Sequence, residues 1–305
     1  MRPNKEIRKR YFTDYRDSSV FASRARLLQS IWRTEHNYDF EKYGNYLPLK
    51  FSIETGANFL TKEIFEIVKN EVDTKHLKSK VIKEPRIWNN LLSSQPLAFN
   101  LFGELKHNKI LSAKVFKKLF PNCDVKTINE IIFEHSPGRS DPKYTVDKSA
   151  LDVFISYLSE ENEERFFGIE VKYSEDLDDP PSTHKKIYED ISKKSGIFDL
   201  ACIPDLKKKP LQQIWRDHLL TLSMFITNQD YKQGEFIFLY PQDNKECENA
   251  LTSYQETFIE SVNSHFYTLT LERLINTIKI FSDEKWVLDF ENRYLDFSKV
   301  DKLIN

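Results

Sequence analysis

Two predicted β-strands in the middle of the chain carry charged side chains among apolar neighbours. Residues 151–158 include Asp152, and residues 165–173 include the triplet Glu170-Val171-Lys172. Because side chains alternate between the two faces of a strand, Glu170 and Lys172 lie on one face and Val171 lies on the other. Charge on an otherwise apolar strand is costly unless another group compensates it. The pattern therefore predicts a functional site built on neighbouring strands of a buried sheet.

The strand context distinguishes this triplet from others, because acidic-x-Lys is common in a chain with 30% charged residues. The closest competitor begins at Asp124 and precedes an apolar run, but no earlier strand carries an aspartate before it. Two carboxylates and a lysine on adjacent strands are the groups needed to hold hydrated Mg²⁺ beside a phosphodiester. The alternative interpretation of Glu170 and Lys172 is a surface salt bridge on an edge strand.

Composition excludes several classes of protein. A chain of 305 residues with 40% hydrophobic and 13% aromatic residues can bury a large core and is not typical of disorder. No apolar run approaches the roughly 18 residues that span a membrane, and no signal-peptide core follows Met1, so we expect a cytoplasmic protein without membrane contact. The three cysteines and seven histidines form no zinc-binding pattern.

Charge is unevenly distributed, although the net charge is only −2. Basic side chains concentrate in residues 5–10, 75–86, 106–118, 185–194 and 207–209. Most such runs are solvated helix faces. Two or three of them could line a cleft for a polyanion if they fold around the carboxylates.

The hydrophobic period changes near residue 125, from a helical spacing to strands alternating with helices. Residues 1–125 are predicted to be a mainly helical N-terminal region packed on a core formed by residues 126–305, with no flexible linker between them. The predicted helices are 20–32, 62–72, 86–92, 112–120, 183–195, 211–226, 247–262 and 271–281, and the predicted strands are 130–134, 151–158, 165–173 and 235–240.

The order strand, strand with Asp152, strand with Glu170 and Lys172, helix, strand resembles the PD-(D/E)XK nuclease superfamily. It is similar in particular to a branch of bacterial restriction-endonuclease-like proteins. The sequence blocks that carry the resemblance are residues 89–102, 133–139, 144–147, 149–154, 168–173 and 215–220. The resemblance implies an α/β fold, with a restriction-endonuclease-like mixed β-sheet core flanked by helices and a helical N-terminal elaboration.

The resemblance also implies roles for the central residues. Asp152 and Glu170 would bind Mg²⁺ together with the backbone carbonyl of Val171, and we expect Mn²⁺ to substitute. Lys172 would orient or help to deprotonate the attacking water and offset the charge of the pentacovalent transition state. Glu134, at the end of the first strand, would be a further catalytic acid that reaches the metal through a water, although Glu104 or Glu71 could supply that group instead.

Five other residues are candidates for substrate binding. Ser136, Arg139 and Tyr144 lie in the predicted turn between strands, where hydroxyl and guanidinium groups could hold a phosphate. Gln213 and Arg216 lie on the helix that follows the motif strands, which in this superfamily often borders the active site. Turn formation explains the first three equally well, and Gln212 is an alternative to Gln213.

The leading hypothesis is a Mg²⁺-dependent deoxyribonuclease that acts in restriction or another defence against foreign DNA, with DNA as its partner. The defence role follows from the resemblance alone. One alternative is a nucleic-acid-binding or assembly subunit that retains the fold without turnover. The other is an RNA-directed hydrolase, for which the sequence offers no recognisable RNA-binding module.

Overall fold

The computed structural model describes residues 1–76, 80–175 and 177–304, which form a five-stranded mixed sheet with helices on both faces. The strands lie in chain order across the sheet. β1 pairs antiparallel with β2, and β2 with β3, whereas β3, β4 and β5 are parallel. The strands are β1 (Val125–His135), β2 (Leu151–Ser159), β3 (Glu164–Val171), β4 (Gln233–Tyr240) and β5 (Phe266–Thr270). This mixed sheet confirms the predicted fold class.

Helices precede the sheet, connect β3 to β4 and follow β4 and β5. They are α1 (Lys5–Arg10), α2 (Val20–Glu35), α3 (Leu49–Thr55), α4 (Lys62–Thr74), α5 (Arg86–Asn89), α6 (Ser94–His107), α7 (Lys109–Leu119), α8 (Lys186–Ser195), α9 (Ile203–Leu206), α10 (Leu211–Leu222), α11 (Lys245–Gln255), α12 (Leu271–Lys279), α13 (Lys285–Tyr294) and α14 (Ser298–Ile304). The described helices include none that combines the length and the apolar character needed to cross a bilayer.

Local sequence explains where α4 begins, but not where α11 ends. α4 starts at a threonine cap, since the Thr61 hydroxyl accepts a hydrogen bond from the Ile64 amide at 3.1 Å. The helix predicted over 247–262 ends instead at Gln255, and that prediction was wrong at its end. Its last turns are replaced by a β-bridge between Phe198 and Phe258, a contact between distant parts of the chain that overrides the local helical period.

The two faces of the sheet pack against different sets of helices. Side chains such as Ile155, Phe167 and Ile237 join a core with α4, α6, α7, α12 and α13. Side chains of the opposite parity, including Phe154 and Phe166, join a second core with α8, α10 and α11. The first core takes residues from both predicted regions of the chain, so the N-terminal helices bury apolar surface directly against the sheet.

Candidate active site

Three acids occupy equivalent positions on the three antiparallel strands. Glu134 of β1 and Asp152 of β2 lie opposite each other, between two consecutive backbone pairs of those strands. Val153 and Ile169 form the last backbone pair of β2 and β3, and Asp152 and Glu170 lie opposite each other one residue beyond that pair. The strand register therefore places the three carboxyl-bearing residues in one row near the end of the sheet.

The alternation predicted for β3 is present. Phe167, Ile169 and Val171 belong to the core formed with the N-terminal helices, so Glu170 and Lys172 face the other side of the sheet. The two charged residues are only 5% and 9% exposed. This burial is inconsistent with the alternative of a surface salt bridge on an edge strand, because β3 lies at the centre of the sheet.

Lys172 and Glu170 form a buried ion pair, with Nζ 2.7 Å from Oε1. Gln213 donates a hydrogen bond from Nε2 to the same oxygen at 3.0 Å. Burial alone would lower the pKa of Lys172, but the charges of Glu170 and Asp152 outweigh it and raise that pKa above its usual value. The lysine is therefore held as a cation beside the carboxylates.

Asp152 contacts the backbone of the neighbouring strand. Its Oδ2 accepts a hydrogen bond from the amide of Val171 at 2.8 Å, which fixes the orientation of the carboxyl group. Burial raises the pKa of Asp152 well above its usual value, and the charges of Glu170 and Glu134 raise it further. The acids thus repel one another in the absence of a compensating cation.

Glu134 is buried and accepts a hydrogen bond from the side-chain amide of Gln95. Burial raises its pKa to about 7, and the Glu170 charge contributes, whereas the Gln95 hydrogen bond opposes the shift. Its backbone φ of 51° lies in the left-handed region, which residues other than glycine rarely adopt. Strained backbone of this kind is concentrated at functional sites.

These residues line a cleft of about 430 Å³. Its floor carries the row of acids and Lys172, and its walls include residues from β1, the loop before β2, α10 and the segment that precedes α6. Basic side chains also line it, namely Lys83, Arg86, Arg139, Lys148, Lys209 and Arg216. Two of the basic runs seen in the sequence, residues 75–86 and 207–209, thus reach the cleft.

The predicted substrate-binding residues separate into two groups. Arg139, Gln213 and Arg216 line the cleft, but Ser136 and Tyr144 are not among its lining residues. The Tyr144 hydroxyl instead donates to Asp230 at 2.8 Å. The sequence placed these two residues in a turn without indicating which way the turn faces, so their predicted substrate contact receives no support from this placement.

Arg216 is engaged by the protein itself. Its guanidinium donates to Asp147 Oδ2 at 3.1 Å, to Ser149 Oγ at 2.8 Å and to Ser182 Oγ at 3.0 Å. Gln212 also binds Ser182, through hydrogen bonds to its backbone amide and carbonyl. These contacts connect α10 to the segments before β2 and α8, so Arg216 and Gln212 position the cleft walls.

The sequence analysis assigned no role to Asp217, a further acid of the cleft. Asp217 is 5% exposed and lies one helical turn after Gln213, on the same face of α10. Burial raises its pKa well above the usual value, and the Glu170 charge adds to the shift. The four-residue spacing from Gln213 was the signal that could have identified it.

The donor set fits Mg²⁺ or Mn²⁺. Asp152, Glu170 and the Val171 carbonyl offer the hard oxygen ligands that Mg²⁺ prefers, and Mg²⁺ usually retains several waters. Among the described residues no three His, Cys, Asp or Glu side chains converge as a ready-made metal cluster. The proposed ligand set has only two carboxylates beside a backbone carbonyl, so it does not depend on a cluster of three such side chains. A divalent cation would relieve the repulsion between the two carboxylates.

Comparison with known proteins adds one finding. The family model described as the PD-(D/E)XK nuclease superfamily matches residues 15–296, nearly the whole chain. Neither the comparison with curated proteins nor that with solved structures found a match. The matched range includes β1 to β5 and the cleft, as well as helices α2 to α13.

Proposed function

Because the chain belongs to the PD-(D/E)XK nuclease superfamily, we propose that it is a Mg²⁺-dependent endonuclease that hydrolyses phosphodiester bonds of DNA. The observation that carries the proposal is the meeting of Asp152 on β2 with Glu170 and Lys172 at the end of β3 in one cleft. Its biological setting would be restriction or another defence against foreign DNA, as the sequence resemblance implies.

Each central residue has a distinct task in this proposal. Asp152 and Glu170, with the Val171 carbonyl, would hold the ion, which would supply Lewis-acid stabilisation and lower the pKa of the attacking water. Lys172 places a fixed positive charge where negative charge develops on the phosphate, and its ion pair with Glu170 sets its position. Glu134, held by Gln95, is available to bind a water in the cleft.

The basic residues of the cleft suit a polyanionic substrate. Lys83 and Lys148 are exposed, and among the described residues neither ammonium has a carboxylate within ion-pair distance. Cations placed this way contact backbone phosphates without reading the base sequence. Arg139, whose guanidinium donates to the Lys148 carbonyl, lines the same cleft.

The direct test is a substrate panel with purified protein. Supercoiled plasmid, linear duplex, single-stranded DNA and RNA are incubated with Mg²⁺, with Mn²⁺ and with a chelator. We expect DNA cleavage with either metal and none with the chelator. Cleavage of RNA alone would reassign the substrate, and binding of DNA without cleavage by the folded protein would favour the non-catalytic subunit.

A further inference from the structure

Asp217 is a buried acid that no protein donor holds. The other acids on the floor of the cleft are engaged, Glu134 by Gln95, Asp152 by a backbone amide and Glu170 by Lys172. In the described part of the chain, the Asp217 carboxylate makes no hydrogen bond or ion pair. A side chain that is 95% buried, lines a cleft and lacks a partner is an open oxygen donor.

Glu170 also has an unused oxygen. Both of its partners, Lys172 Nζ and Gln213 Nε2, contact Oε1. Within the described residues, nothing is hydrogen-bonded to Oε2. Gln213 connects Glu170 to α10, and Asp217 follows on the same helix face one turn later. Glu170 therefore lies between Asp152 on the β2 side and Asp217 on the α10 side.

The floor of the cleft carries an excess of acids, although the cleft lining as a whole has seven basic and six acidic side chains. Glu134, Asp152, Glu170 and Asp217 face a single buried lysine, and the nearby Arg216 is paired with Asp147 at 3.1 Å. When all four acids are ionised, three negative charges remain after Lys172 is counted. On this floor, one divalent cation would still leave one negative charge, while the other basic residues of the cleft remain available to the substrate phosphates.

We propose that Asp217 and Glu170 form a second divalent-cation position, so that Glu170 is shared between an ion on its Asp152 side and an ion on its α10 side. This inference rests on the proposed function, because it assumes the first ion. Paired ions in hydrolytic sites lie about 3.5–4 Å apart and share a carboxylate or substrate oxygen. Waters and the substrate phosphate complete the coordination of each ion.

The test counts ions with Mn²⁺ as the probe, using the full chain at pH 8 without nucleic acid. Titration calorimetry gives the stoichiometry, and electron paramagnetic resonance gives free Mn²⁺ and the coupling between neighbouring ions. We expect two Mn²⁺ per wild-type chain with a coupled signal, and one uncoupled Mn²⁺ for Asp217→Asn. Asp217→Glu should restore the second ion, since it keeps the oxygen donors.

Asp179→Asn is the matched control, because Asp179 is an exposed acid that lines the same cleft. It should retain two ions, whereas Asp217→Asn should weaken the second ion by roughly tenfold or more. Wild-type protein that binds one Mn²⁺, or Asp217→Asn protein that keeps two, would overturn the inference and leave the proposed function standing. Wild-type protein that binds no Mn²⁺ would overturn both. Even if a variant fails to fold, a wild-type count of one overturns the inference.

Discussion

Replacing Glu134 with glutamine should stabilise the metal-free protein at alkaline pH. The substitution removes a buried negative charge that repels Glu170, and the new side-chain carbonyl can still accept the hydrogen bond from Gln95. The pKa of Glu134 is raised in the folded protein, so the folded state binds this proton more tightly than the unfolded chain does. The contribution to stability is therefore full below about pH 4.5 and is lost as pH rises through about 7.

The magnitude follows from the size of the shift. A pKa of about 7 against an ordinary value of 4.5, at 1.36 kcal/mol per pH unit, corresponds to about 3 kcal/mol at pH 8. His135 and His218 act in the opposite direction, because burial lowers their pKa values to about 4 and about 3, and they destabilise the protein as pH falls below 6.5. Both histidines are present in wild type and variant, so their effect cancels in the difference.

The assay is denaturant unfolding of wild type and Glu134→Gln from pH 5 to pH 8 in the presence of a chelator. The variant should gain stability over wild type progressively, reaching about 3 kcal/mol at pH 8. Glu164→Gln, the same substitution at an exposed residue of β3, is the matched control and should show no such trend. A variant no more stable than wild type at pH 8 would refute the claim that burial, together with the Glu170 charge, makes an ionised Glu134 costly in the metal-free cleft.

Three further outcomes are expected. Replacing Lys83 and Lys148 together with alanine should weaken duplex DNA binding and reduce the slope of log affinity against log salt by about 2, whereas Lys118→Ala on α7, away from the cleft, should leave the slope unchanged. Gln213→Leu should lower the cleavage rate with little effect on DNA affinity, because it removes a hydrogen bond to Glu170 rather than a phosphate contact; unchanged cleavage would exclude a positioning role. Limited proteolysis should release no stable fragment by cutting near Pro121 or Pro137, because the N-terminal helices and the sheet share one core, and an independently stable fragment would show two domains.

The strands could be predicted from sequence because their hydrophobic period is local. Alternation in residues 165–173 indicated the face of Glu170 and Lys172, and the structure places them on the side opposite Val171. The helix predicted to reach residue 262 was wrong at its end, because the pairing of Phe198 with Phe258 depends on contacts far apart in the chain.

The cleft walls were harder to predict than its floor. Whether a turn residue faces the cleft depends on tertiary packing, and the Tyr144 hydroxyl binds Asp230, which is distant in sequence. Asp217 was missed because its neighbours on α10, such as Trp215, carry the apolar signal of a core helix. Its position becomes apparent only once Gln213 is seen to contact Glu170.

The most direct test of the central claim is the cleavage rate of plasmid DNA by Lys172→Met and Asp152→Asn protein in Mg²⁺, compared with wild type and with the cleft control Asp179→Asn. Thermal unfolding of the same samples identifies the variants that are folded. The proposed site predicts that both folded variants lose cleavage, that Asp152→Asn also weakens Mn²⁺ binding, and that Asp179→Asn remains active. Wild-type rates in a well-folded Lys172→Met or Asp152→Asn protein would contradict the assignment of this cleft as the catalytic site.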